Sequence, residues 1–153
     1  MRNNKGFTLV EILIVVVILG ILAAIVIPQF TEASNDARES QLKSDLQTLR
    51  SQLELYKVQH LDTYPASADG DDGAVMIAQL TQKTNVEGEY GGSADPTPTL
   101  GPYVIQFPTN PFAVANGGSV DVGDTQTADG DPGWYFNPAD GEFRANDAAN
   151  SGL

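Results

Sequence analysis

An apolar run near the N-terminus constrains this chain more than any other feature. Between Phe7 and Ile27, only three residues are not hydrophobic: Thr8, Glu11 and Gly20. A helix of about twenty such residues is long enough to cross the hydrocarbon core of a bilayer. Arg2 and Lys5 precede the run, so the distribution of positive charge places the N-terminus in the cytoplasm and the rest of the chain outside.

Two details distinguish this run from an ordinary secretory signal. A secretory signal has a small-residue cleavage site after its apolar region, whereas the plausible site here, Gly6, lies before it. The run also contains an acid, Glu11, which costs roughly 2.5–3.5 kcal/mol to insert into a membrane. If the Gly6–Phe7 bond is cut, the new α-amino group of Phe7 lies one helical turn from Glu11. In a bundle of helices, Glu11 could equally neutralise the Phe7 amine of a neighbouring copy.

The segment Lys5–Glu11, KGFTLVE, followed by the apolar run, resembles the class III signal of the type IV pilin and type II secretion pseudopilin superfamily. The resemblance implies cleavage after Gly6 by a prepilin peptidase and N-methylation of Phe7. It also implies assembly into a helical filament by an ATP-driven inner-membrane platform, with Glu11 setting the register of the incoming subunit. The alternative is an uncleaved single-pass anchor in which Glu11 is accidental.

The rest of the chain is strongly acidic and contains no cysteine. The formal charge of −12 becomes −14 once Arg2 and Lys5, two positive charges, leave with the leader. From Asp62 onward, fourteen acids stand against two bases, so we expect no nucleic-acid partner, because phosphate contacts need Lys and Arg. Without cysteine, the chain forms neither a disulfide nor a thiolate metal site. Many type IVa pilins, by contrast, close a C-terminal loop with a disulfide.

The apolar run continues into a predicted amphipathic helix. Pro28 interrupts helical hydrogen bonding and Gly20 is a weak helix former, so the segment between them is the predicted soft part of the helix. The resemblance implies that this segment can melt on assembly; the alternative is a kinked but continuous helix. Beyond it, apolar residues recur at spacings of four and three, until a predicted end near Tyr64-Pro65: Leu42, Leu46, Leu49, Leu53 and Tyr56.

This apolar stripe has two possible partners. Its short length favours packing onto the chain's own sheet over a coiled-coil seam. A short helix is predicted over residues 75–81, with Val75, Ile77 or Ala78, and Leu80 facing inward. Strands are predicted at Tyr103–Phe107, Trp134–Phe136 and Glu142–Ala145, the last two joined by a turn that ends in Asp140-Gly141.

The predicted fold is therefore α+β and pilin-like: a long N-terminal helix packed on a small antiparallel β-sheet. Its expected parts are a leader (1–6), a transmembrane and filament-core helix (7–29), an amphipathic half of the helix (30–62) and a small globular domain with a loop-rich C-terminal part (63–153). Within that domain, Gly101-Pro102-Tyr103-Val104 and the strand after it resemble the major, G-type pseudopilin of type II secretion. Where that subfamily has Asp-Pro-Trp-Gly, this chain has Asn110-Pro111-Phe112-Ala113.

An acidic loop before the predicted hairpin offers the oxygen ligands that Ca²⁺ prefers. Its carboxylates are Asp121, Asp124, Asp129 and Asp131, and their spacing is not that of an EF-hand. The resemblance implies a structural Ca²⁺ here, because major pseudopilins hold one in the loop before the last strands. The alternative is a solvated acidic loop. A second, weaker candidate is formed by Asp69, Asp71 and Asp72.

No motif indicates catalysis. The single histidine, His60, is predicted as a surface or C-terminal-turn residue at the end of the amphipathic helix, and without a cysteine no Cys–His pair can be built. The Trp134-Tyr135-Phe136 run fits core filling better than ligand stacking. No cofactor is expected beyond the possible Ca²⁺.

These features predict a structural filament subunit, most like the type II secretion pseudopilus, which acts as a piston for protein export. The alternatives are a type IV pilus major subunit, serving adhesion, motility or DNA uptake, and a non-polymerising membrane-anchored binding module. The implied partners are further copies of the chain, the prepilin peptidase, the inner-membrane assembly platform, minor pseudopilins and, before assembly, the membrane. We expect the chain in the inner membrane first, and then in a periplasmic or extracellular filament.

Overall fold

The computed structural model describes residues 6–68, 72–91 and 97–153. Within them the elements are, in order, α1 (Leu9–Gln59), α2 (Gly73–Thr81), β1 (Val120–Val122), β2 (Trp134–Asn137) and β3 (Glu142–Ala145). The chain divides into two compact units, Met1–Glu39 and Ser40–Leu153.

The first unit is dominated by the apolar part of α1. Its large apolar side chains from Phe7 to Phe30 are all at least 42% exposed. By length and composition, α1 can cross a membrane. A helix that is apolar all round needs an apolar environment, which only lipid or other helices supply. Pro28 lies inside α1 without ending it, so the helix is continuous here, as in the second of the two readings of this segment.

The second unit is built around the apolar stripe of α1, hereafter the buried stripe. Each of its five residues is at most 2% exposed: Leu42, Leu46, Leu49, Leu53 and Tyr56. They share one core cluster with Trp134 and Phe136 of β2, Phe143 of β3, and Met76 and Leu80 of α2. The buried stripe therefore packs within its own domain rather than along a coiled coil. The prediction that Trp134 and Phe136 fill the core is confirmed.

The predicted α+β class is confirmed, but the sheet is mixed rather than antiparallel. Its strand order is β1-β2-β3. The pair β2–β3 is the predicted antiparallel hairpin, with Phe136 opposite Phe143, whereas β1 runs parallel to β2, with Val120 opposite Trp134. β1 was not predicted, because three residues within a polar, glycine-rich segment carry too little periodicity to indicate a strand.

The predicted strand at Tyr103–Phe107 is wrong. The backbone N–H groups of Tyr103 and Val104 both donate to the carbonyl of Leu80, at 2.9 and 3.1 Å. The segment thus satisfies the C-terminal end of α2 instead of joining the sheet. Its apolar side chains, which suggested a strand, divide between the core and the surface: Phe107 is buried, whereas Ile105 is 98% exposed.

Helix α2 ends at its predicted residue, Thr81, but it begins two residues earlier than predicted, and its inward face is rotated so that Met76 replaces Val75 beside the predicted Leu80. Asp72 caps it, and the Asp72 Oδ1 atom accepts from the N–H groups of Ala74 and Val75, at 2.9 and 3.1 Å. Met76 is fully buried, whereas Val75, predicted inward, is only half-buried. Gly73 sets this rotation: a Cβ at that position would lie 2.0 Å from the Val120 carbonyl oxygen, so α2 meets β1 through its glycine.

His60 lies in the turn that follows α1, as predicted, but not at the surface, because this residue is 2% exposed. His60 follows Tyr56 by four positions and so extends the buried stripe, a signal that was present in the sequence. Its ring stacks on Tyr56 with centroids 3.6 Å apart. The Nδ1 atom lies 2.8 Å from the Tyr56 carbonyl, which can only accept, so Nδ1 carries the proton. The Nε2 atom lies 2.8 Å from the Thr84 hydroxyl, from which it can accept in the neutral ring.

Two buried asparagines, Asn110 and Asn146, link the loops before the hairpin to the residues at its two ends through side-chain hydrogen bonds. We call this pair the asparagine clip. The Asn146 side chain accepts from the Ala128 N–H at 2.8 Å, and it donates to the Pro132 carbonyl at 3.0 Å and the Thr127 hydroxyl at 3.2 Å. It therefore ties the residue after β3 to three points of the acidic loop.

Asn110 links the loop before β1 to residues on either side of the hairpin. Its side chain donates to the Gly133 carbonyl at 2.8 Å and to Asp147 Oδ2 at 3.1 Å, and it accepts from the Phe112 N–H at 2.9 Å. Both asparagines are at most 2% exposed. The clip therefore joins segments that are far apart in sequence in a domain that has no cysteine.

Candidate functional site

The predicted processing site lies just outside the helix. Gly6 and Phe7 are both exposed and precede Leu9, where α1 begins. Phe7 is 83% exposed. A peptide bond outside regular hydrogen bonding is accessible to a peptidase, unlike one inside a helix. This placement is compatible with cleavage between Gly6 and Phe7, which stays a prediction.

Glu11 has a partner within its own chain that the sequence reading missed. Its Oε2 atom accepts from the backbone N–H of Thr8 at 2.7 Å and from the Thr8 hydroxyl at 2.8 Å. In return, the Glu11 N–H donates to Thr8 Oγ1 at 3.2 Å. This reciprocal arrangement is a capping box, and its signature, Thr-x-x-Glu before an apolar run, was visible in the sequence.

The capping box gives the acid a local structural role beside the predicted one. Glu11 satisfies donors at the start of α1, where the helix dipole also favours negative charge. In the part of the chain that the structure describes, the second carboxylate oxygen, Oε1, accepts no recorded hydrogen bond. A cationic partner such as a terminal amine could therefore approach Glu11 without first displacing Thr8. The Phe7 amine, of the same chain or of a neighbour, stays the predicted partner.

The two residues predicted to soften the helix have no packing role in the first unit. A Cβ built at Gly20 would meet nothing within 4 Å. Pro28 removes one backbone donor, and nearby the Thr31 hydroxyl donates to the Ile27 carbonyl at 3.2 Å. Packing within this unit thus requires neither residue. Their role in helix flexibility stays a prediction.

The four carboxylates predicted to bind Ca²⁺ are used locally. Asp129 Oδ1 accepts from the Asp131 N–H at 3.0 Å, and Asp131 Oδ1 accepts from the Asn116 side chain at 2.7 Å. Asp124 is exposed and accepts from its neighbour Thr125, whereas Asp121 lies half-buried in β1. Across residues 6–68, 72–91 and 97–153, three or more Asp, Glu, His or Cys side chains nowhere gather as a metal site would require.

These carboxylates by themselves therefore do not fit a Ca²⁺ site, which would also need backbone carbonyl or water oxygens. In the weaker candidate, Asp72 caps α2, while Asp69 and Asp71 lie outside the described residues. Calcium binding stays a prediction.

A melting experiment tests the predicted calcium site. If the acidic loop binds Ca²⁺ in the folded state only, added Ca²⁺ should raise the melting temperature of a fragment that begins at Thr31, and a chelator should lower it. Asp129→Asn should reduce the effect, and Asp45→Asn, on α1, should not. A melting temperature that is indifferent to both Ca²⁺ and chelator would exclude the site.

The hydroxyl group of Tyr64 is paired with the carboxylate of Glu54 in the second unit. The Tyr64 hydroxyl donates to Glu54 Oε1 at 2.7 Å, and Lys57 Nζ lies 4.5 Å from the centre of the tyrosine ring. The hydrogen bond to Glu54, followed by burial and by the negative charges of Glu54, Asp62 and Asp140, raises the pKa of Tyr64 to about 12. Burial is also the main cause that raises the pKa values of Tyr103 and Tyr135.

These shifts predict a loss of stability in alkali. Because folding favours the neutral phenol of Tyr64, its contribution is complete below the unfolded pKa of about 10 and disappears as the pH rises towards 12. The free energy of unfolding should therefore fall in this pH window, and that of the Tyr64→Phe variant should fall less steeply. Chemical denaturation at a series of pH values measures both slopes; equal slopes would show that Tyr64 does not contribute.

Comparisons with known proteins agree with these features at the N-terminus. Residues 1–27 match the family described as the prokaryotic N-terminal methylation motif. No solved structure matches the chain significantly.

Several similar proteins, from Pseudomonas aeruginosa, Vibrio cholerae and Klebsiella pneumoniae among others, bear the name "Type II secretion system core protein G". That of Pseudomonas aeruginosa is 40% identical over 74 residues, which are 48% of this chain and 51% of the relative. Those of Vibrio cholerae and Klebsiella pneumoniae are 37% and 39% identical over 57% and 59% of this chain, and 56% and 65% of their own lengths. The matched part of the chain thus spans between about half and just under two thirds of the length of these relatives.

The resemblance predicted from Lys5–Glu11 is confirmed: the chain carries the prokaryotic N-terminal methylation motif, and over about half its length it is similar to core protein G of type II secretion.

Proposed function

We propose that the chain is a structural subunit of a helical filament, and that this filament is the pseudopilus of a type II secretion system, which acts as a piston for protein export. The observation that carries the proposal is the coincidence of the methylation motif with a helix whose apolar side chains are exposed all round. Such a helix must be covered by lipid or by its own copies.

The subunit would pass through two environments. It would first span the inner membrane with the leader in the cytoplasm, where the prepilin peptidase cuts the Gly6–Phe7 bond and methylates Phe7. The assembly platform would then draw it into the filament, where Glu11 meets the Phe7 amine of a neighbour. The acidic second unit would face outward, and minor pseudopilins would be further partners.

Similarity to proteins that are named for type II secretion favours the secretion filament over a surface pilus. The chain also lacks the cysteines with which many type IVa pilins close their C-terminal loop. A type IV pilus major subunit, for adhesion, motility or DNA uptake, is the alternative.

Mass spectrometry of fibres sheared from intact cells, compared with the cell envelope, tests the proposal. We expect mature chain that begins at methylated Phe7 in the envelope, and little of it in the sheared fraction. Abundant mature chain in sheared fibres would favour the surface pilus instead. Gly6→Val serves as the control and should retain the leader. If the unsubstituted chain also begins at Met1 or Arg2, no peptidase acts on it and the filament proposal fails.

A further inference from the structure

Strand β3 forms one edge of the sheet, because the strand order is β1-β2-β3. Backbone groups along an antiparallel strand point alternately towards its partner and away from it. The N–H group of Asn146 donates to the Gly133 carbonyl, on the β2 side of the hairpin, at 3.0 Å. The backbone groups of Ala145 and Phe143 therefore point away from β2. We call this side of β3 the open edge.

The carbonyl oxygens on the open edge are bound by side chains. Arg50, on α1, donates to the Phe143 carbonyl through both Nε and Nη2, at 3.0 and 2.8 Å. Its Nη2 atom also donates to the Leu153 carbonyl. The Gln126 side chain donates to the Ala145 carbonyl at 2.7 Å. Because a carbonyl oxygen has two lone pairs, a second strand could not bond to Phe143 without displacing Arg50.

The opposite edge of the sheet, at β1, is closed in a different way. Gly73 of α2 lies so close to the Val120 carbonyl oxygen that a Cβ atom would be 2.0 Å from it. An unprotected strand edge is a template for pairing with another chain, and natural proteins cover such edges or place charged side chains on them. A helix thus covers the β1 edge, whereas an arginine protects the β3 edge.

The strand that best fits the open edge is β3 of a second copy, because β3 is complementary to itself. In an antiparallel pair centred on Phe143, Glu142 of each copy would lie opposite Arg144 of the other, and opposite charges at such positions stabilise a pair. Within one copy these two side chains already form an ion pair, so two copies could exchange partners without leaving a charge unpaired. The two Phe143 residues would then exchange N–H···O bonds, which requires the oxygen that Arg50 occupies.

We propose that Arg50 is an edge guard: together with Gln126, it prevents β3 from pairing with β3 of a second copy. The β3–β3 contact is one that the folded chain avoids, so the inference goes beyond the proposed filament and does not depend on it. The guard matters most where copies are concentrated, as in the membrane or in a filament, because pairing increases with local concentration.

Distances between nitroxide spin labels test the inference in the full chain in detergent. Ala139→Cys places a label at the exposed turn of the hairpin, in a chain that has no other cysteine. In a β3 pair centred on Phe143, the two labels would lie roughly 25–30 Å apart, since each strand residue adds about 3.3 Å. We expect Arg50→Ala to give this distance, in a fraction that rises with protein concentration. Arg38→Ala, which removes an exposed arginine from α1 outside the second unit, is the matched control and should not give it.

Trp134 fluorescence separates pairing from unfolding, because Trp134 is fully buried in the folded domain. If Arg50→Ala loses its fold, Arg50→Met takes its place, since methionine keeps the apolar part of the side chain and removes only the donors. A folded Arg50 variant whose labels show the same distances as those of Arg38→Ala would overturn the inference. That result would leave the proposed filament intact, because the mature N-terminus tests the filament separately.

Discussion

Replacing Glu11 by alanine should abolish filament assembly and leave membrane insertion intact. Insertion should become easier, because an acid in the membrane costs roughly 2.5–3.5 kcal/mol. Assembly should fail because the Phe7 amine of the neighbouring copy loses its carboxylate. Fractionation measures insertion, and recovery of filaments measures assembly. A Glu11→Ala chain that still assembles would favour a membrane-anchored module that does not depend on this pair.

The capping box allows the charge and the helix cap to be separated. Glutamine also closes a capping box, so Glu11→Gln should keep the start of α1 while it removes the charge. Thr8→Val does the reverse: it keeps the acid and removes the hydroxyl, at a cost of about 1 kcal/mol in capping. We expect Glu11→Gln to fail in assembly and Thr8→Val to assemble with reduced yield. The opposite result would mean that Glu11 acts as a cap alone.

Replacing Asn146 by alanine should destabilise the second unit by roughly 3–5 kcal/mol. The substitution removes three hydrogen bonds from a fully buried side chain, each worth about 1 kcal/mol, and leaves the Ala128 N–H and the Pro132 carbonyl without this partner. That loss is a large fraction of the stability of a small domain. Denaturation of a fragment that begins at Thr31 measures the change in the free energy of unfolding.

Two further variants make this prediction specific. Asn137→Ala, at the end of β2, removes hydrogen bonds to Ala139 and Asp140 near the surface and should cost much less. Asn146→Asp has the same shape but places a carboxylate oxygen against the Pro132 carbonyl, so it should be nearly as damaging as alanine. If Asn146→Ala and Asn137→Ala cost the same, the asparagine clip is not what closes the loop.

Features that depend on local periodicity could be predicted from the sequence. The buried stripe follows from leucines at spacings of four and three, and the hairpin follows from aromatic residues on either side of Asp140-Gly141. In both cases the residues that define the pattern are also the ones that pack. The methylation motif around Gly6, Phe7 and Glu11 could be recognised for another reason, because it lies within one short segment.

Features that depend on contacts between distant segments could not be predicted in this way. Tyr103–Phe107 has the composition of a strand, but its N–H groups pair with the end of α2, which no local pattern reveals. The clip residue Asn146 binds residues 14 to 19 positions earlier, through a side chain that is usually found at the surface. His60 was missed for a simpler reason, since its polarity outweighed its position in the buried stripe.

The asparagine clip has a consequence for the conditions under which the domain can fold. A disulfide forms only where an oxidant is present, and it opens when a reductant is supplied. Hydrogen bonds from Asn110 and Asn146 form as soon as the backbone is in place, without any electron transfer. The folded domain should therefore be indifferent to reducing agents, and a subunit could reach its final shape on either side of the membrane without help from thiol-oxidising enzymes.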